Sequence, residues 1–229
     1  MTITIDVGTE NIRTDTTSPQ TFSHAGAASG IKAVTLAIVH GTSATDHVSA
    51  ASYGGAALTR IVRATDTATE AGAAEIWFLG SSVPQGTQTA SYTPGATTDD
   101  IHAVCSTWLG AADIEIIDFD SISENVANPS VTLQYGGRSA MAFAALYGGG
   151  TGPAAFTANA NCTAGLGEDL GAFYSQVMRQ TTAGTADFAI GGTAATDDVA
   201  FVAIAMSEVL VATKSLLFRC PNMGALLRL

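Results

Sequence analysis

Apolar and polar residues alternate with a period of two along most of the chain. Thr2-Ile3-Thr4-Ile5-Asp6-Val7 alternates cleanly, the pattern of a strand with one face in solvent. Ile31 to His40 (IKAVTLAIVH) is apolar at nearly every position, as a central strand packed on both faces should be. Val48–Tyr53 and Ala57–Arg63 flank Gly54-Gly55. That pair predicts a tight hairpin, because glycine enters positive φ without a steric penalty. Further strands are predicted at Ala74–Leu79, Thr87–Thr93, Ile101–Leu109 and Asp113–Phe119. In the second half they fall at Val131–Tyr135, Ser139–Tyr147, Gly171–Arg179, Thr185–Ile190 and Val199–Val209. Pro84-Gln85-Gly86, Pro94-Gly95 and Gly110 punctuate them, each a turn signal. Ser139–Leu146 is rich in alanine and helical by propensity, but Tyr-Gly-Gly on both sides favours a strand. Ser215–Leu229 is the best helical candidate, with an irregular apolar pattern. Many short strands without a long amphipathic run predict an all-β fold: an antiparallel, jelly-roll-like β-sandwich with an irregular C-terminal arm.

Two segments echo each other. GTQTASYTPGATTDD, Gly86 to Asp100, aligns without gaps on GTADFAIGGTAATDD, Gly184 to Asp198. AASYGG ending at Gly55 resembles AALYGG ending at Gly149. The echoes are read either as duplication or as convergent turn chemistry in a chain rich in Ala, Thr and Gly. We expect one domain over residues 1–212, with pseudo-related halves at about 1–110 and 111–212, and an arm over 213–229. The arm holds Lys214, Arg219 and Arg228 and no acidic residue. Its expected contacts with the protein's own body or with a neighbouring subunit are Lys214, Leu216, Leu217, Phe218, Arg219 and Arg228.

Composition narrows the partners. Apolar residues make up 47% of the 229 and charged residues 13%, against the roughly 25% charged that is usual. A surface so neutral favours covering by neighbours, hence a homo-oligomer, with a trimer favoured, or a larger assembly. The net charge of −11, from 20 acidic against 9 basic residues, repels phosphate backbones and argues against direct nucleic-acid binding. No signal-peptide pattern and no membrane-spanning apolar run is present, so a cytoplasmic site of synthesis and no membrane partner are expected. Cys105, Cys162 and Cys220 lack ligand spacing and read as reduced thiols.

Candidate chemistry is sparse. His24, His40, His47 and His102 form no metal-binding pattern. His40 and His102 lie in apolar strands and read as core residues, whereas His24 and His47 fall near turns and read as solvated. No GxSxG elbow occurs, although a Ser/His/Asp triad built from distant positions is recognised only by geometry. Asp99-Asp100, Asp197-Asp198, Asp118 with Asp120, and Glu168-Asp169 are the acidic clusters. They read as turn formers bonding their own backbone, with calcium as an alternative, for which no DxDxDG loop is present. Trp77 and Trp108 lie in strands that read as buried. The glycines of Tyr147–Gly152 and Gly165–Gly167 read as loop glycines. No catalytic residue, cofactor or metal is expected.

From Val48 to Tyr92 the chain runs through Tyr53-Gly54-Gly55, Leu58-Thr59, Glu75-Ile76-Trp77-Phe78-Leu79, Pro84 and Gly86-Thr87. This series resembles the jelly-roll-like β-sandwiches of bacteriophage virion and tail-associated proteins and of some bacterial surface proteins. The match covers about a fifth of the chain and consists of turn formers and core positions, so it implies architecture and carries over no functional site. With the composition it implies a non-enzymatic virion protein assembled in the host cytoplasm, a capsid decoration protein or a tail or fibre component. Its partners would be copies of itself and other virion proteins. A carbohydrate- or host-surface-binding module is the alternative, with Tyr92, Tyr135 and Tyr174 as its aromatic candidates. A hydrolase using Asp99 and Asp100 is a further one.

Overall fold

The computed structural model describes residues 3–16, 18–41, 48–66, 72–95, 99–125, 128–149, 156–171, 173–193 and 198–210. Among these residues the secondary structure is strand alone, as the alternation predicts. The first half holds β1 (Thr4–Thr16), β2 (Gln20–Ala25), β3 (Ile31–Gly41), β4 (Val48–Tyr53), β5 (Ala56–Ala57), β6 (Thr59–Asp66), β7 (Gly72–Leu79), β8 (Thr87–Pro94) and β9 (Asp99–Leu109). The second holds β10 (Ile114–Asn125), β11 (Ser130–Leu133), β12 (Ala140–Gly149), β13 (Thr157–Ala158), β14 (Cys162–Asp169), β15 (Phe173–Gln180), β16 (Phe188–Thr193) and β17 (Asp198–Glu208).

Pairing is antiparallel and nested. β1 pairs with β9, β2 with β8, β3 with β7 and β4 with β5. The scheme then repeats: β10 pairs with β17, β11 with β16 and β12 with β15, and β13 lies beside β14. Nested pairing of this kind is the jelly roll. Each half therefore has a five-stranded sheet, in the orders β1-β9-β3-β7-β6 and β10-β17-β12-β15-β14. Each also has a smaller one, β2-β8-β4-β5 and β11-β16-β13. The echo between Gly86–Asp100 and Gly184–Asp198 falls on corresponding elements, β8 into β9 and β16 into β17. The two Tyr-Gly-Gly segments do not correspond. Gly54 and Gly55 make the β4–β5 turn at φ of 55° and 81°, whereas Gly148 and Gly149 lie within β12.

The five-stranded sheets pack face to face, with the smaller sheets outside, giving four layers. Alternation along the central strands supplies three cores. In β3, Val34, Leu36 and Ile38 face Tyr53, Ala90 and Tyr92 of the outer sheet, while Ala37 and Val39 face the other central sheet. In β12, Phe143, Ala145 and Tyr147 face the first half, and Ala142, Ala144 and Leu146 face Leu133 and Ile190. Two-sided burial accounts for the unbroken apolar runs of β3, β12 and β17, including the alanine-rich β12, which is a strand. The turn Gly110–Asp113 joins the halves. The Glu208 carboxylate accepts a hydrogen bond from the Ala111 amide at 2.5 Å and so holds that turn.

Several expectations are corrected. β1 runs on to Thr16, and β2 and β14 were not foreseen. Both missed strands expose much of their length and carry polar or small residues, so no apolar alternation reveals them. Gly165, Gly167 and Glu168-Asp169, read as a loop, lie in β14, where the glycines admit close approach. A Cβ on Gly167 would come within 2.5 Å of Gln176 Oε1. His24, read as solvated, is fully buried under the first outer sheet.

Candidate functional site

Polar chemistry in this fold is concentrated where sheets meet, and three buried histidines organise it. His102, on β9, faces the second half across the central interface. Its Nδ1 lies 2.5 Å from Ser175 Oγ on β15, and its Nε2 lies 3.3 Å from Glu10 Oε2 on β1. A neutral imidazole satisfies both: Nε2–H donates to the carboxylate, and the Ser175 hydroxyl donates to Nδ1. A serine, a histidine and a carboxylate in line is the arrangement of acyl-transfer catalysis. Sequence spacing gave no hint of it, since Glu10, His102 and Ser175 come from three distant strands. Here, however, Ser175 is fully buried between two sheets. The line of bonds ties one half to the other.

Burial lowers the His102 pKa to about 4, against the smaller opposing influence of Glu168. The folded protein therefore binds fewer protons than the unfolded chain between pH 6.5 and about 4. The stability that His102 contributes is expected to fall as pH drops through that window, a loss of up to about 3 kcal/mol. Urea midpoints at pH 7.5, 5.5 and 4.5 measure the loss. The curve for His102→Asn is expected to be flatter than wild type, and parallel curves would refute the assignment. His24, whose pKa burial also lowers, acts in the same direction in both proteins.

His24 Nε2 lies 3.1 Å from Thr107 Oγ1, which donates to Asp6 Oδ2 at 3.1 Å, and the Ala27 amide donates to the same oxygen. These bonds pin the β2–β3 connection to β1 and β9. The third cluster surrounds Glu75 on β7, a fully buried carboxylate. Trp77 Nε1–H donates to its Oε2 at 2.9 Å, and His40 Nε2 lies 3.4 Å from Oε1. Arg60 and Arg63 of β6 approach at 3.6 and 3.7 Å. The Arg60 guanidinium also lies over the Trp77 ring, 5.5 Å from its centroid. All three clusters hold strands in place.

An apolar opening lies at an edge of the central interface. At one margin the two five-stranded sheets meet where β6 packs on β10 and β17. At the opposite margin, edge strands β1 and β14 leave a cleft of about 300 Å³, lined by Ile5, Gly8, Val104, Phe143, Leu166 and Val177 among others. Small residues on both strands keep it open: a Cβ on Gly8 would sit 3.7 Å from Leu166 Cδ1. Among the described residues β1 and β14 each pair on one side only within their sheets. The cleft is thus a shallow apolar channel flanked by two strand edges, and such edges accept an added extended segment.

The residues singled out from sequence fall elsewhere. Lys214, Leu216, Leu217, Phe218, Arg219 and Arg228 lie outside the described residues, as do His47, Asp197 and Cys220. Tyr92 and Tyr135, expected as exposed aromatics, are buried. The Tyr92 hydroxyl donates to Asn11 Oδ1 at 3.1 Å and that of Tyr135 to Gln180 Oε1 at 2.5 Å, so neither offers a sugar platform. Tyr174 is half-buried, its hydroxyl donating to Gln176 Oε1. Trp77 and Trp108 are buried as expected. Asp120 accepts from the Ser121 amide and Asp169 from that of Gly171, the local backbone bonding predicted, whereas Asp118, within β10, accepts from the distant Gln134 amide at 2.6 Å. Asp100 is half-buried at the start of β9, and the Asp99 side chain lies outside the described residues. Among the described residues no three His, Cys, Asp or Glu side chains cluster as metal ligands would. Cys105 is buried, which pushes its thiol pKa up and leaves it unreactive. No protein-family model matches this chain, and no curated protein or solved structure matches it either.

Proposed function

We propose that this chain is a non-enzymatic structural subunit of a bacteriophage particle, a capsid decoration protein or a tail or fibre component. In this reading it works by contact with copies of itself and with other particle proteins. The observation that carries the reading is the cleft between β1 and β14. There two open strand edges flank an apolar channel, while His24, His40, His102 and Glu75 are used up inside the body. An extended segment of a neighbour, laid into the channel, gains backbone hydrogen bonds from the strand edges and apolar contact from Leu166, Val177 and Phe143. The acidic, weakly charged exterior suits protein partners and repels nucleic acid.

The reading is tested with purified protein and with particles that lack it. Wild-type protein is expected to sediment well above its 23.2 kDa monomer mass or to bind such particles. Leu166→Arg places a charge in the channel on an edge strand and should weaken the association by about tenfold or more. Its melting temperature should stay within a few degrees of wild type. A strict monomer that ignores particles, or a Leu166→Arg protein that assembles like wild type, overturns the reading.

A further inference from the structure

We propose that the segment 211–229 binds in the apolar groove along β10 and β6 of its own subunit. The groove lies at the other margin of the central interface from the β1/β14 cleft. Ile61 and Phe78 form one wall and Ile114 and Ile116 the other, Val209 stands at one end, and the volume is about 510 Å³. It continues past Ile117 to Phe119 as a second hollow of about 320 Å³ that shares Ile61 and Ile116. Among the described residues, the large apolar side chains left exposed are Phe119 at 55%, Val209 at 38% and Leu210 at 74%. All three belong to this one place. Phe119 lines the far hollow, Val209 lines the near one, and Leu210 follows Val209. A clustered apolar surface of this kind marks a binding site.

Where the chain leaves the described fold identifies the occupant. Leu210 directly follows Val209 of the groove lining, and 19 residues follow it. From Ile114 to Phe119 an extended chain covers roughly 17 Å, so a segment of this length spans the groove with residues to spare. Attachment beside Val209 gives it a local concentration on the order of millimolar, which favours its own groove over a neighbour's.

The chemistry matches as well. VATKSLLFRCPNMGALLRL carries Leu216, Leu217, Phe218, Leu226 and Leu227 for the apolar floor, with Lys214, Arg219 and Arg228 and no acidic residue. The rim carries Asp113, Glu115 and Asp118. Its cations are Arg60, engaged with Glu75 and Trp77, and Arg138, which lies 2.6 Å from Glu115. Among the described residues β10 pairs with β17 alone, so its outer edge offers backbone donors and acceptors to the incoming segment. The inference needs no phage particle and stands apart from the assembly reading.

Zero-length carbodiimide coupling of the full chain tests it, because the only lysines in the sequence are Lys32 and Lys214. A mixture of ¹⁵N-labelled and unlabelled copies is coupled, digested and mapped. Lys214 joined to Asp113, Glu115 or Asp118 of the same copy is the expected result. Lys214 joined to carboxylates elsewhere, joined between labelled and unlabelled copies, or not joined overturns the proposal. A second readout uses the triple substitution Leu216→Ser, Leu217→Ser, Phe218→Ser. Amide exchange over residues 114–119 should quicken by about tenfold while that of β12 stays as in wild type. Unchanged exchange over 114–119 overturns the proposal equally.

Discussion

Gly72→Val is expected to destabilise the protein by on the order of 4 kcal/mol, enough to leave much of it unfolded at 37 °C. Gly72 begins β7 on the face that meets the second half. A Cβ built there overlaps Cε2 and Cζ of Tyr147, and a Cβ on neighbouring Gly41 would sit 2.6 Å from Cδ1 of Phe173. The two rings lie against each other, centroids 5.2 Å apart, buried in the central core. Neither can move away without opening the interface. The glycines of one half are notches for the aromatic pair of the other. Denaturant unfolding of a double-mutant cycle checks this. Tyr147→Ala alone should cost about 3 kcal/mol or more. Gly72→Ala with Tyr147→Ala should cost about 2 kcal/mol less than the two single changes summed, because the removed ring vacates the space that the methyl needs. Strict additivity would show that the notch is incidental.

Glu75→Ala is expected to cost about 3–5 kcal/mol, since removing one member of a buried charge cluster strands the others. Arg63 and His40 would lose the carboxylate that lies 3.7 and 3.4 Å away, and Trp77 Nε1–H would lose its acceptor. Glu75→Gln keeps an acceptor for Trp77 and should cost less than the alanine change, by about 1 kcal/mol or more. Thermal or urea unfolding of the three proteins gives the order. An alanine variant as stable as the glutamine variant would mean that the carboxylate does not hold β3, β6 and β7 together.

The strands were legible wherever burial on a face left a pattern. Val34, Leu36 and Ile38 against Ala37 and Val39 announce a strand covered on both sides, and Gly54-Gly55 announces the β4–β5 turn. β14 was illegible because Cys162–Asp169 lies at a sheet edge, and an edge strand made of Thr, Ala and Gly has no apolar rhythm to read. The polar clusters were hidden for a different reason. Glu10, His102 and Ser175 meet only because β1, β9 and β15 cross a sheet-to-sheet interface, and spacing along one chain holds no record of that packing. His24 misled because a residue beside a turn is usually wet, whereas here the outer sheet closes over it. The cleft between β1 and β14 was equally invisible, since it is made of space left by glycines and alanine.

The nesting of each half around its own middle has a kinetic consequence. Among the described residues β1 pairs only with β9, and β10 only with β17, so the first and last strands of each unit must meet before either five-stranded sheet is complete. Closing such distant ends is entropically slow, and folds dominated by remote pairing take milliseconds to seconds. During synthesis the first half can shut once Leu109 has cleared the ribosome. The second must wait for Glu208, its alanine-rich β12 uncovered in the interval. Aggregation during expression is therefore expected to begin from that half, and slowing translation between Gly149 and Asp198 is expected to worsen it.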